Sequence, residues 1–217
     1  MPKDDKMPAP RSMIRWILLA AGLAVAVLYA MEARQGKPPA EGDAASRQET
    51  PVLPSGALSP ALATGAMRQL KIHARPQPLP ELAALDAEGR PRALQEWRGK
   101  VLLVNFWATW CPPCRKEMPH IAALQKAFAD ADFLVLAISE DTRGHDWARQ
   151  GLKMLGADNL MLLWDRGGAA LRAVKERALP VTLLVDRQGR EVARLIGPAD
   201  WNSDEAHAII RALLAQK

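Results

Sequence analysis

Trp110-Cys111-Pro112-Pro113-Cys114 sets two thiols three residues apart, and the 217-residue chain holds no other cysteine. An apolar run from Val101 to Trp107 leads directly into the pair, and a helical pattern begins at Pro112. A helix N-terminus offers free backbone N–H groups and the positive end of a dipole, which together stabilise a thiolate. Thiolate is the species that attacks a disulfide. A second thiol three residues on can then attack the mixed disulfide and release the bound partner. Cys111 is the expected attacking sulfur, and Cys114, one turn into the helix, the more buried resolving one. Pro112 and Pro113 lack N–H groups and fix φ near helical values, which stiffens the loop. They also remove donors that would have stabilised the thiolate, which limits how oxidising the pair can be. A Cys111 thiol titrating below about pH 5 would contradict that limit.

Other chemistries are open to two cysteines. A structural zinc needs four ligands, and His73, His120, His145 and His207 are scattered without ligand spacing. A structural staple over so short a loop removes little unfolded-state entropy. Copper(I) is the main rival ligand, because soft thiolates suit it. Glu117 stands three residues beyond Cys114, so both can lie on one helix face. A partly buried carboxyl there has its proton affinity raised toward neutrality and can take the proton of Cys114. The spacing equally allows a solvated charge or a salt bridge with Arg115 or Lys116. Leu179-Pro180 precedes the apolar run Val181–Val185, where a strand-initiating proline is the plain reading.

These residues need a scaffold, and the pattern supplies one. Asp86-Ala87-Glu88-Gly89 is a turn signal between two short extended segments, and Leu94 to Trp97 reads as a helical turn. Val101–Trp107 and Phe133–Ile138 read as buried strands. Between them a helix is expected from Pro112 to about Ala129, with Met118, Ile121, Leu124 and Phe128 on its apolar face and a kink at Pro119. Further helices are expected over Asp146–Leu155, Ala169–Lys175 and Ser203–Ala215, and a strand over Leu160–Trp164. Val181–Val185 and Glu191–Ile196 should form a hairpin around Gln188-Gly189. Strands alternating with helices before a final hairpin predict an α/β fold with a mixed sheet covered on both faces.

Upstream, Met1 to Arg15 is short and polar. Trp16 to Met31 carries no charge and is slightly shorter than a comfortable membrane span. Basic residues precede it, Trp16 and Tyr29 sit near its ends, no A-x-A site stands out directly after it and there is no lipid-attachment cysteine; a cleaved signal peptide and a buried core helix are the alternatives. The expectation is an uncleaved signal-anchor over 16–31, with 1–15 cytoplasmic and the remainder across the membrane. Residues 32–69, rich in Pro, Ala, Gly, Ser and Gln, read as a flexible linker, and 70–217 as the folded domain.

The segment Asn105-Phe106-Trp107-Ala108-Thr109-Trp110-Cys111-Pro112-Pro113-Cys114-Arg115-Lys116-Glu117-Met118-Pro119 resembles the active-site segment of membrane-anchored, thioredoxin-like proteins, the TlpA-like and ResA-like thiol–disulfide oxidoreductases of bacterial envelopes. Ala178-Leu179-Pro180-Val181-Thr182-Leu183-Leu184-Val185-Asp186-Arg187-Gln188-Gly189 resembles that family's cis-proline segment and the hairpin after it. The resemblance covers roughly Leu70 to Lys217. It implies a thioredoxin-like fold with an inserted strand–helix element, and catalysis by Cys111, Cys114 and Glu117. It marks Trp110, Pro112, Pro113, Leu179 and Pro180 as the substrate-binding surface. Asn105 departs from thioredoxin, which has a buried acid there, and agrees with the membrane-anchored relatives.

The same resemblance implies reduction of disulfides in partner proteins, in cytochrome c or oxidase copper-site assembly. The alternatives are a disulfide-forming oxidant and a copper(I) chaperone. No nicotinamide or flavin motif is present, so no cofactor is expected beyond the redox-active cysteine pair. Electrons are expected from a membrane thiol carrier of the DsbD- or CcdA-like kind, since an oxidising compartment makes a reductant depend on a donor. Net charge is +5 with the charges dispersed, which argues against a nucleic-acid partner.

Overall fold

Val101–Trp107 forms strand β4, and all seven of its residues are buried, Asn105 included. A run buried on both faces must lie inside a sheet rather than at its rim. The computed structural model describes residues 57–216 and places β4 fourth in an eight-stranded mixed sheet, in the order β1-β8-β7-β4-β5-β6-β2-β3. The other strands are β1 (Lys71–Pro78), β2 (Ala83–Leu85), β3 (Pro91–Ala93), β5 (Phe133–Ser139), β6 (Met161–Trp164), β7 (Val181–Val185) and β8 (Arg190–Ile196). Strands β4, β5 and β6 run parallel, whereas β7 is antiparallel to β4 and β8 to β7. The helices are α1 (Pro112–Ala127), α2 (His145–Met154), α3 (Ala169–Ala173) and α4 (Asp204–Leu214), and Leu94–Trp97 is a 3-10 turn.

The period-two alternation of β4 divides the core. Val101, Leu103 and Trp107 pack with Met118, Ile121 and Leu124 of α1, Leu152 of α2, and Ile209, Ile210 and Leu213 of α4. Leu102, Val104 and Phe106 pack on the other face with Leu82, Leu94, Trp97 and Leu171 of α3. Asn105 follows the alternation onto the face of α1 and α4. The expected α/β sheet covered on both faces is therefore present. Two Asp-x-x-Gly-Arg turns set its hairpins. Asp86 accepts the N–H groups of Glu88 and Arg90, and Asp186 accepts those of Gln188 and Arg190. In each turn the arginine Nε returns to the second carboxylate oxygen, at 2.9 and 2.8 Å.

The sequence reading differs from the structure near the N-terminal side. Residues 57–69, assigned to the linker, make two 3-10 turns, Pro60–Leu62 and Gly65–Met67, and bury Leu58 and Met67 in the α1/α4 core. Too few apolar residues occur there to make a pattern, but two suffice to fill gaps beside α4. Strand β1 also has no sequence signature. It is a rim strand with a polar burial pattern, and Pro76 and Pro78 count against a strand. At the other rim, β3 is three residues long and starts at Pro91. The expected membrane segment 16–31, residues 1–15 and the linker up to residue 56 lie outside the described residues. Among the described residues no helix is long and apolar enough to cross a membrane.

Candidate active site

The buried end of β4 delivers Ala108 and then a turn of half-buried Thr109 and Trp110, the latter 63% exposed. The Cys111 N–H returns to the Ala108 carbonyl at 3.1 Å, and Cys111 becomes the N-cap of α1 in an extended conformation (φ −91°, ψ 105°). Pro112 and Pro113 fill the first helical positions, where their missing N–H groups leave no intrahelical bond unmade. Cys111 and Cys114 form a disulfide. The Cys114 N–H points at Cys111 Sγ, 3.3 Å away. Cys114 is fully buried and Cys111 is 4% exposed, the expected order, although even the outer sulfur is mostly covered in this oxidised form.

The Leu179–Pro180 peptide is cis. Pro180 is buried, and Leu179 is half-buried against the core cluster that contains both cysteines. Val181 pairs with Phe106 of β4, which sets Pro180 beside the end of β4 that leads to the disulfide. Among the described residues no backbone hydrogen bond engages the Leu179 N–H or C=O. An extended chain can therefore pair there.

Glu117 lies on the core face of α1 and is 1% exposed. Burial pushes its carboxyl up to about 7, opposed by hydrogen bonds from Asn105 and the Ala199 N–H. Asn105 Nδ2 donates to Glu117 Oε1 and to Thr182 Oγ1, both at 2.9 Å, and Ala199 N–H donates to Oε2 at 3.2 Å. Of the two readings left open by spacing, the solvated charge is excluded and no ion pair with Arg115 or Lys116 forms. The buried acid that Asn105 lacks is supplied from the facing helix. Glu117 also lines a small open pocket of about 220 Å³ with Lys116, His120, Ala199 and Asp200. His120 has Nδ1 3.0 Å from Asp200 Oδ1 at that pocket. Such a carboxyl, near neutrality and one helical turn from Cys114, can move a proton to or from that sulfur.

Asp141, in the loop after Ser139, joins the site without having been among the sequence candidates. It is buried at the end of β5 and accepts from Thr109 N–H (3.0 Å), Thr109 Oγ1 (2.6 Å) and Ser139 Oγ (2.8 Å). Trp147 Nε1 donates to Thr109 Oγ1 at 2.9 Å. The turn before the cysteines is thus anchored to α2. Its position just beyond a parallel strand's C-terminal end was the available signal, since open α/β sheets place sites there. Neighbouring Glu140 is pushed up to about 8 by burial and by the Asp165 carboxylate. Ala199 and Thr182, which complete the hydrogen bonds around Glu117 and Asn105, carried no signal.

The anchor also makes Gly151 of α2 a contact glycine. A Cβ there would meet Thr109 Cγ2 at 2.5 Å. Glycine to alanine inside a helix ordinarily gains about 1 kcal/mol. Here Thr109 is held by three hydrogen bonds and cannot yield. Gly151→Ala is expected to lower Tm by ~3–10 °C, an overpacking cost of roughly 1–3 kcal/mol in a domain of this size. A calorimetric scan showing an unchanged or raised Tm would mean that the contact relaxes freely.

Among the described residues no group of three or more His, Cys, Asp or Glu is placed to hold a metal. A redox pair at a helix N-terminus, a cis-proline strand facing it and a buried carboxyl behind it form one unit, and residues 74–210, which contain all of it, match the Redoxin family model. The chain belongs to the Redoxin family. Among curated Redoxin-like relatives, the thiol-disulfide oxidoreductase ResA of Bacillus thuringiensis is 28% identical over 118 residues, 54% of this chain and 67% of that protein. The ResA of Geobacillus thermodenitrificans is 31% identical over 111 residues, 51% of this chain and 63% of that protein. A solved thiol:disulfide interchange protein of the thioredoxin family from Chlorobium tepidum superposes with a TM-score of 0.54 at 25% identity, covering 66% of this chain and 99% of that one. This Redoxin chain is a thioredoxin-like thiol–disulfide oxidoreductase, similar to the ResA proteins.

Proposed function

We propose that the chain reduces disulfides in partner proteins outside the cytoplasm, held to the bacterial inner membrane by residues 16–31 with the C-terminal domain in the periplasm. Cys111 thiolate attacks one sulfur of the partner's disulfide, and the other sulfur leaves as a thiolate and takes up a proton. Cys114, giving its proton to Glu117, attacks Cys111 Sγ. The Cys111–Cys114 disulfide forms and the partner leaves with both sulfurs reduced. Two electrons pass from the dithiol to the partner. Trp110, Pro112, Pro113, Leu179 and Pro180 present the surface on which the partner's extended chain lies. The pair itself is the redox centre, with no added cofactor. It is recharged by a membrane thiol carrier of the DsbD- or CcdA-like kind, and the partners belong to cytochrome c or copper-site assembly.

The direction rests on one observation. The first turn of α1 directs a single backbone N–H at Cys111 Sγ, that of Cys114, because residues 112 and 113 are prolines. A dithiol whose reduced form is poorly stabilised favours the disulfide in itself and so acts as a reductant, the reverse of the oxidant DsbA. The test is the reduction potential of Cys111–Cys114, read by tryptophan fluorescence in thiol–disulfide buffers. A value at or below about −230 mV agrees with a reductase, and one near about −120 mV would make the chain an oxidant. Absence of any reversible two-electron transition would favour the copper(I) chaperone.

A further inference from the structure

Between the Trp110 turn and α2 the surface opens into a groove of about 490 Å³, lined by neither Leu179 nor Pro180. Trp110, Trp147, Met154 and Leu155 supply its apolar lining, and Arg115 and Arg143 stand in it. Met154 is 83% exposed and Trp110 63%, the two largest apolar exposures among the described residues. The groove adjoins the reactive site, since Trp110, just before Cys111, and Arg115, just after Cys114, both line it.

Its charge is one-sided. The exposed charged residues of α2 and of the first turns of α1 are Arg149, Lys153, Arg115 and Lys116 against Asp146 alone. Glu117 is buried facing the core, and Asp141 is turned into its hydrogen bonds with Thr109 and Ser139. Arg143 lies over the Trp147 ring, 3.3 Å from its centroid. That ring is fixed by its bond to Thr109, which is fixed in turn by Asp141. Neither Arg115 nor Arg143 makes an ion pair with a carboxylate among the described residues. A guanidinium held by stacking, with its donor fork unengaged, is built to take a carboxylate, and its ordering entropy is already lost.

We propose that this groove receives the partner's chain next to its reactive cysteine, and selects a segment bearing a large apolar side chain with carboxylates beside it. The apolar side chain lies between Trp110 and Met154, and the carboxylates meet Arg143 and Arg115. This inference rests on the reading that Cys111 exchanges with protein disulfides.

The probes are mixed disulfides of 5-thio-2-nitrobenzoate with short peptides, offered to the reduced full chain. One peptide carries leucine and two glutamates beside its cysteine, a second leucine and two lysines, and a third serine and two glutamates. Attack by Cys111 on the peptide sulfur expels thionitrobenzoate, and Cys114 then displaces the peptide thiol. Neutral 2-hydroxyethyl disulfide serves as a substrate without a peptide. At low salt kcat/KM should be at least roughly tenfold higher for the leucine–glutamate peptide than for either other, and the charge preference should shrink as salt rises. Arg143→Glu should turn the preference toward the lysine peptide, a gain that a misfolded chain cannot produce. The salt dependence of the unmodified chain tests the same point without any variant. Equal rates for the three peptides, with hydroxyethyl disulfide reduced normally, would overturn the groove. Failure to reduce any of these disulfides would overturn the exchange reading beneath it.

Discussion

With Cys114 replaced by serine, the reduced protein should stop after half a cycle and accumulate as a covalent complex with its disulfide substrate. The complex should run as one species on a non-reducing gel and fall apart with dithiothreitol. Cys111→Ser should form no complex at all. In both variants turnover should fall on the order of a thousandfold or more, because each removes an atom that makes or breaks a bond. The burial difference explains the asymmetry. Cys114 is fully buried in the core beneath the first turn of α1, out of a partner's reach, whereas Cys111 keeps the sliver of surface through which a partner's sulfur can approach. Serine fits the space of Cys114, so the arrest should come without loss of fold, which far-ultraviolet circular dichroism checks. Sustained turnover by C114S would mean that resolution uses an external thiol and that the pair is not the reacting unit.

Glu117→Gln should make the protein more stable at pH 8 and slower. The folded-state carboxyl sits at about 7, above its ordinary 4.5. A raised carboxyl favours the native state fully below pH 4.5 and withdraws that support as pH climbs through 7. The loss across that window is about 3 kcal/mol. Glutamine does not ionise, so urea unfolding at intervals from pH 4.5 to 8 should show E117Q gaining on the unmodified chain by about that amount. Glu140, raised to about 8, adds a slope of the same sign to both proteins and cancels in the difference. Removing the proton acceptor should slow the release of partner from the Cys111 mixed disulfide by roughly 10²–10⁴-fold. Parallel stability curves for the two proteins would mean that Glu117 titrates normally. An unchanged release rate would leave it a structural role only.

What the sequence made legible was whatever a short window determines. The seven-residue apolar run of β4, the prolines at the first two positions of α1, the Ser203 cap of α4 and the two Asp-x-x-Gly turns are all decided within a few residues. The cysteine pair was legible for the same reason, whereas the cis-proline reading of Pro180 came from the family resemblance and not from its own window. Glu117 was half legible. Its face followed from helical spacing, but its burial depends on Ala199, 82 residues away, and on Asn105. Asp141 depends on Thr109, 32 residues away. Apart from its place after a strand end, nothing local distinguishes such a residue from a solvated loop acid. Strand β1 was illegible because a rim strand needs no apolar alternation, and its partner β8 lies more than a hundred residues downstream.

The two rims of the sheet bear on how copies of this chain behave when crowded together. Strand β1 carries Pro76 and Pro78 and an irregular register with β8, and β3 is three residues long behind Pro91. Neither rim offers an uninterrupted ladder of donors and acceptors for a neighbour's strand to zip onto. Self-association through strand addition is thereby discouraged at both ends. The unengaged backbone at Leu179 is left as a place for an incoming extended chain, and it lies against the cysteines. Non-productive stacking and productive encounter are therefore separated by backbone geometry alone, whatever side chains the visitor brings.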